Sequence, residues 1–469
     1  MRHIPKKVLS TLLTLTLTLV FVAGTIEIAE MASGHPVVSH VLGSDGDGGD
    51  DGGGGGGYVP PTPVEKKTNT LSAKGHTVSL TGASLTNKSR TIARKDAITV
   101  SNPQGTVTYA KKSGNNKITI NKSTGVITVQ KGLGIGTYKL VVNVKAAGNG
   151  SYKAKTVQVT VTIKVVTATN PITVKPSTET ISTEDLGEED VVIPKSEAMT
   201  ISQSKGKLSY SSSIGSEGLT LDTKTGDIIV DKDLEPGTYK IEVKIKDSGS
   251  VKYKPATRYV VVTVKIKDPN APDESEPKLK DKLIAKWTAK GGNALTLTWN
   301  KVDGAEGYDV FFGRCSKSHK SRFVKSLGPD KTTWTKKGLV KNKPYKAFVK
   351  AWKMVDGEKK YFRMSPPLHA YTAGGSKLYT NPSKLTINRS EILLREDGTF
   401  AIKATVKKLS SGKILIMPSH CARIRYYTTD KNVVTVSKAG KIKAVAKGTC
   451  KVYVITSNGI KKAILVTVL

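Results

Sequence analysis

Residues 118–153, "ITINKSTGVITVQKGLGIGTYKLVVNVKAAGNGSYK", and residues 219–254, "LTLDTKTGDIIVDKDLEPGTYKIEVKIKDSGSVKYK", are two versions of one segment, aligned without a gap at an offset of 101. The same offset pairs Gly105 with Gly206, Tyr109 with Tyr210, Thr124-Gly125 with Thr225-Gly226, Gly136-Thr137-Tyr138-Lys139 with Gly237-Thr238-Tyr239-Lys240 and Tyr152 with Tyr253. Roughly a third of the aligned positions are identical, which marks a duplicated domain. About a hundred residues are enough to bury a core. In each copy Thr-Gly separates two short alternating runs, where the glycine supplies the positive φ of a hairpin turn. Gly-Thr-Tyr then opens a longer alternating run, and a further one closes the copy. Short strands with frequent turn signals predict a two-sheet sandwich.

The whole chain has 469 residues, room for about three to four such domains. Val, Ile and Thr recur in short alternating runs and no long stretch carries a 3.6-residue apolar period, so the chain reads as all-β. The N-terminus differs. Arg2, Lys6 and Lys7 precede an apolar stretch from Val8 to Ala23 and then small residues, the order of a secretory signal peptide, assigned to residues 1–33. No second apolar run of spanning length follows, so no transmembrane segment is expected after cleavage, and no cysteine stands where a lipid would be attached. Residues 34–66 include "GSDGDGGDDGGGGGGYVPPTP", a Gly/Asp/Pro-rich linker. Asp45, Asp47, Asp50 and Asp51 lack the period of a calcium-binding glycine repeat.

Three cysteines, Cys315, Cys421 and Cys450, are too few for a disulfide framework, and if the strands that Cys421 precedes and Cys450 opens pair antiparallel, they start at opposite edges of the sheet, too far apart for the two to bridge. His319, His369 and His420 have no metal-ligand spacing, so no metal or cofactor is expected. The net charge of +36 is uneven: +15 over residues 65–165, slightly negative over 171–266 and +29 over 278–469. For an exported chain the polyanions within reach are acidic wall polymers, glycans and membrane surfaces, with no nucleic acid among the expected partners. The competing reading is a self-repelling, solvated surface. Neither "GDGGDDGG" nor "KGLGIGTYK" joins a strand to a helix, and no nucleophile with its base, carboxylate pair or metal set is recognisable. The chain is therefore expected not to be an enzyme.

"LTLDTKTGDIIV" followed by "GTYKIEVKIKD" resembles the cadherin-like and putative immunoglobulin-like repeats of bacterial surface proteins, which assigns residues 67–166 and 167–268 to two such repeats. "LEPG" stands where a cadherin has its acidic triplet, and "DPNAPDE" only partly matches the acidic linker, which favours a Pro-rich hinge at residues 269–277 over a calcium-held joint. "ALTLTWNKVDGAEGYDVFF" and "LVKNKPYKAFVKAW" resemble strands B, C and F of a fibronectin type III domain, over residues 278–374. The resemblance implies a buried Trp299 and a tyrosine corner at Tyr345. "YYTTDKNVVTVSKAGKIKAVAKGTCKVYVITSNGIKKAILVTV" resembles the bacterial immunoglobulin-like group 2 domain, over residues 381–469.

Together these resemblances imply tandem immunoglobulin-like β-sandwich domains in an elongated multi-domain stalk, similar to clostridial-type surface proteins. Such a chain would be secreted and cell-surface or cell-wall associated, serving adhesion or wall attachment, with host surface molecules as further partners. The alternative is a secreted glycan-binding accessory protein. Within the fibronectin-like segment, alternation turns Tyr345, Ala347, Val349 and Ala351 inward, with Tyr308, Val310 and Phe312. It sends Phe311, Lys346, Phe348, Lys350 and Trp352 outward onto neighbouring strands. That face is the candidate ligand site, suited to a sugar ring bearing acidic groups, unless a neighbouring module or loop covers it.

Overall fold

The structure is a computed structural model that describes residues 65–271, 279, 281–315, 321–416 and 421–469. The expected signal peptide, most of the Gly/Asp/Pro-rich linker, most of the 269–277 hinge, His319 and His420 lie outside the described residues. The described chain is all-β, with four hydrophobic cores following one another along the sequence.

The first core lies between a four-stranded sheet, ordered Thr77–Thr81, Lys155–Val166, Gly136–Ala146 and Val107–Ser113, and a three-stranded one of Arg90–Ile92, Ile127–Val129 and Ile118–Ile120. Alternation does the sorting: Leu140, Val142, Val144 and Ala146 are fully buried, while Lys139 and Lys145 are exposed. Each buried Leu or Val side chain here contributes about 1.5–3 kcal/mol relative to leaving it in water. The second sandwich repeats the first strand for strand at the same offset. Gly136 pairs with Val165 and Gly237 with Ile266; Leu140 pairs with Val161 and Ile241 with Val262.

The hairpin turns are equivalent as well. Gly125 has φ +69° and donates its N–H to the Asn121 carbonyl at 2.9 Å; Gly226 has φ +86° and donates to Asp222 at 2.8 Å. Each glycine lies under a tyrosine, Tyr109 or Tyr210, close enough that a Cβ would meet the ring at 2.9 or 3.0 Å.

The fourth sandwich has the layout of the first two. Its four-stranded sheet runs Glu391–Leu394, Lys461–Val468, Gly448–Thr456 and Ile424–Thr428, with the first pair parallel as in the repeats. Gly448-Thr449 opens the strand that Gly136-Thr137 and Gly237-Thr238 open in the repeats, and Gly440, at φ +81°, lies under Tyr426. The third sandwich is built differently, from a three-stranded sheet (Ala285–Lys290, Ala294–Trp299, Thr333–Lys336) and a five-stranded one centred on Gly307–Arg314 and Pro344–Val355.

Sandwiches three and four share an interface. Ile284 packs with Tyr453 and Ile455, the Trp287 N–H donates to the Asn458 carbonyl at 2.8 Å, and the His369 N–H donates to the Ser457 carbonyl at 2.8 Å. The Tyr453 hydroxyl donates to the Asp281 carboxylate. The second and fourth sandwiches also meet, through Lys240 with Glu391 at 2.9 Å and through Arg389 with Glu242. All three cysteines are free thiols. Burial and the neighbouring Cys421 push the Cys315 thiol up to about 11, so it is protonated at neutral pH.

Candidate functional site

The third sandwich positions the candidate face. Trp299 is buried and meets the Tyr308 ring at 5.7 Å, edge to face. The Tyr345 hydroxyl accepts the Val340 N–H at 3.1 Å, which ties the loop before its strand to the core. A second tie of this kind was not read from the sequence: the Tyr308 hydroxyl accepts the Val302 N–H at 2.9 Å. With the inward side chains Tyr308, Val310, Tyr345, Ala347, Val349 and Ala351 all buried, the alternating positions are fixed on the outer face.

There Phe311 and Phe348 sit directly opposite each other in register, with ring centroids 4.8 Å apart and planes 4° from parallel. Phe323 and Tyr361 stand edge-on to Phe311 at 6.1 and 6.4 Å. The Lys350 ammonium lies 5.0 Å from the Phe311 ring centre and 4.6 Å from that of Tyr361. Trp352 covers Gly307, where a Cβ would meet the indole at 2.4 Å, and Lys359 caps the indole at 4.3 Å. Lys346 shares the face, its register partners being Gly313 and His369.

The alternation therefore brings Phe311, Phe348, Lys350 and Trp352 together, but their exposure differs from expectation. All are half-buried, because the rings use their faces on each other and on the lysines. The open aromatic surface is provided instead by Phe323, 55% exposed, and Tyr361, 44% exposed, on the flanking strands.

Beneath the rings lies a buried carboxylate. Asp309, 2% exposed, accepts hydrogen bonds from Ser326 Oγ at 2.6 Å, Tyr361 Oη at 2.6 Å and Lys359 Nζ at 3.2 Å. Burial pushes its pKa up, but the bonds from Ser326, Tyr361 and Lys359 outweigh that and hold it below the usual value. Asp309 lies on the outward side of its strand, one residue from the inward Tyr308 and Val310, and was not singled out in the sequence. The signal for its partners was "VDGEKKYF", where Asp356-Gly357 turn the chain at positive φ and return Lys359 and Tyr361 over the strand carrying Trp352.

Among the described residues no group of three His, Cys, Asp or Glu is placed to hold a metal ion. Among them, too, no helix is long and apolar enough to cross a membrane.

No family model and no curated protein matches the chain. Solved structures similar to it are tandem β-sandwiches. Domains A168–A170 of titin align at 13% identity, covering 63% of this chain and 97% of that one, with a TM-score of 0.20. Human CDH23 EC21-23 aligns at 14% identity over 62% of this chain and 97% of that one, with a TM-score of 0.20. Domains 1–6 of the surface layer protein SbsC align at 14% identity over 85% of this chain and 54% of that one, with a TM-score of 0.16. The chain is an all-β protein of successive β-sandwiches.

Proposed function

We propose that the chain is a non-enzymatic, exported surface protein whose sandwiches form a modular stalk for adhesion or wall attachment, held to acidic wall polymers or glycans by its basic modules. In this reading the fourth sandwich is a bacterial immunoglobulin-like group 2 domain, and the segments follow the boundaries given by the resemblances above.

The observation that carries the proposal is the divergence of the two repeats. They share strand order and register, yet residues 65–165 carry 17 Lys and Arg against 2 Asp and Glu, while residues 171–266 carry 13 against 15. The fold does not demand the charge, so the basic surface of the first repeat has a cause outside folding. Attraction to a polyanion supplies one.

Retention on isolated walls should then fall steeply as salt rises, because exposed charges are screened beyond about 8 Å at physiological ionic strength. Neutralising Lys139, Lys145 and Lys164 should release the protein at lower salt, while neutralising Lys207, Lys246 and Lys254 of the second sandwich should leave retention unchanged. Salt-independent retention would exclude the mechanism.

The outer face of the third sandwich is the site proposed for a sugar ring bearing acidic groups. Phe311, Lys346, Phe348, Lys350 and Trp352 form it, with Phe323 and Tyr361 supplying open ring surface.

A further inference from the structure

The second and fourth sandwiches are not neighbours in the sequence, yet the edge strand Glu391–Leu394 of the fourth lies against three strands of the second, Leu208–Gly215, Gly237–Asp247 and Ala256–Lys267. The charges at this contact are ordered. Lys240 and Glu242 on the second sandwich meet Glu391 and Arg389 on the fourth, cation to anion and anion to cation, and Arg389 also rests on the Tyr259 ring. Exchanging the partners would set Lys240 against Arg389 and Glu242 against Glu391, so the charges fix one register.

Apolar surface is buried here as well. Ile392 and Leu394 belong to the core of the fourth sandwich, and Val260 and Val262 to that of the second. Val261 and Leu393, on the other faces of the same strands, belong to neither core, yet each is only 4% exposed. Val261 lines one cleft with Tyr259, Arg389 and Glu391, which places it under the fourth sandwich.

The first repeat shows the same sheet without this partner. At the offset of 101, Lys240, Glu242, Tyr259 and Val261 correspond to Lys139, Val141, Gln158 and Thr160, and Val141 pairs with Thr160 as Glu242 pairs with Val261. Lys139, Gln158 and Thr160 are exposed. The fold is therefore satisfied without the acid, the ring or the outward valine. Of the two copies, the one that carries them is the one that meets the fourth sandwich.

We infer that the outer sheet of the second sandwich is a docking surface whose partner is the fourth sandwich of the same chain, and that the contact is a clasp holding the chain folded back between them. Opening the clasp leaves only the path through the third sandwich, so the reach of the chain takes two values. A stalk held at one end and bound at the other is pulled, and pull favours the longer form. That use rests on the stalk reading above; the clasp itself does not.

The test is carbodiimide coupling of the full chain in free solution, which joins an amine and a carboxylate already in contact as an amide, followed by peptide mapping. Lys240 and Glu391, 2.9 Å apart, should couple within the monomer, and Lys301 with Asp330, 2.7 Å apart inside the third sandwich, serves as the internal standard. The variant Glu242→Val/Tyr259→Gln/Val261→Thr gives the second sandwich the residues of the first while keeping Lys240 and Glu391. Its Lys240–Glu391 product should fall at least about tenfold against the standard, as the closed population falls. Small-angle scattering should show its maximum dimension grow by on the order of 30 Å, about the length of one sandwich. A parent without the Lys240–Glu391 product overturns the clasp. A product formed only between copies overturns it too and assigns the surface to a second chain. A triple variant that couples as well as the parent removes these residues from the docking surface and the proposal with them. Should that variant melt lower than the parent, Arg389→Glu on the other side must still lose the product, and an unchanged yield there sinks the proposal. No wall or glycan enters these readouts, so a failure of the stalk reading shows separately, in retention on isolated walls.

Discussion

The guanidinium of Arg389 lies 4.3 Å from the ring centre of Tyr259, joining the fourth sandwich to the second, and the same group pairs with Glu242. Two residues on, Glu391 pairs with Lys240, so each segment presents one cation and one anion to the other. The side chains are only 12–24% exposed, which screens them less than surface pairs. Arg389→Glu should open this contact, and adding Glu242→Arg should restore it. A double-mutant cycle on chemical denaturation of the full chain should return a coupling of about 0.5–3 kcal/mol. A double variant no more stable than the sum of the single changes would mean that the pairing contributes nothing.

Asp309 gives the third sandwich a defined response to acid. Its folded pKa lies below the usual carboxylate value, so its contribution is fully present above that value and is lost as pH falls through the folded pKa. Asp309→Asn should flatten the stability profile below about pH 4. Tyr361 behaves in the opposite sense. Burial, then the Asp309 hydrogen bond and charge, raise it to about 12, so its contribution is intact below 10 and is lost as pH rises through about 12. In Asp309→Asn the phenolate absorbance of Tyr361 should appear at lower pH, with part of the elevation kept because burial persists. An unmoved Tyr361 titration would show that the two groups do not act on each other.

The duplicated sandwich was legible because its signal is local: an unbroken offset of 101 keeps Thr-Gly, Gly-Thr-Tyr and the core-facing alternation in step. That the fourth sandwich shares the layout was not read. Gly226 and Gly440 differ by 214 residues but Gly237 and Gly448 by 211, so loops of different length hide the correspondence from any fixed offset. Alternation placed Phe311, Phe348 and Trp352 on one face, since period two decides only the side of the sheet. It could not say that the rings would turn toward each other, nor that Lys359 and Tyr361 would fold over them. Those outcomes depend on packing between strands brought together by the tertiary fold. The clefts between sandwiches were equally hidden, because each joins residues separated by more than a hundred positions.

The glycine under a tyrosine recurs in three sandwiches and should be equally intolerant in each. A Cβ at Gly440 would stand 2.6 Å from Tyr426 Cζ, and the φ of +81° is one that an L-residue reaches only at a cost of about 1–2 kcal/mol. Gly125→Ala, Gly226→Ala and Gly440→Ala should each lower stability by about 2 kcal/mol or more, the backbone cost adding to displacement of the ring. Thermal unfolding of the three variants measures this. A variant as stable as the parent would show that its turn relaxes freely, and that the shared geometry is not a requirement of the fold.

The outer face of the third sandwich can be tested so that binding and packing separate. Phe311 and Phe348 stack on one another, and truncating a fully packed Phe costs about 3–5 kcal/mol. Because both are half-buried, Phe348→Ala should cost roughly half of that, about 2 kcal/mol. Lys350→Gln removes a cation that rests on Phe311 and Tyr361 while leaving both rings, so its effect on stability should stay near the ~0.5–1 kcal/mol of an exposed cation–π contact. If the face holds an acidic sugar, Lys350→Gln should nevertheless weaken binding of an acidic oligosaccharide by about tenfold, since it removes the charge that meets the acid. Trp352→Ala probes the other end, where the indole seals Gly307 beneath Lys359. A stably folded Phe311→Ala/Phe348→Ala/Trp352→Ala variant with undiminished oligosaccharide binding would remove this face from the candidates. The stacked pair would then be a packing device of the sheet, shielding the Asp309 carboxylate from water.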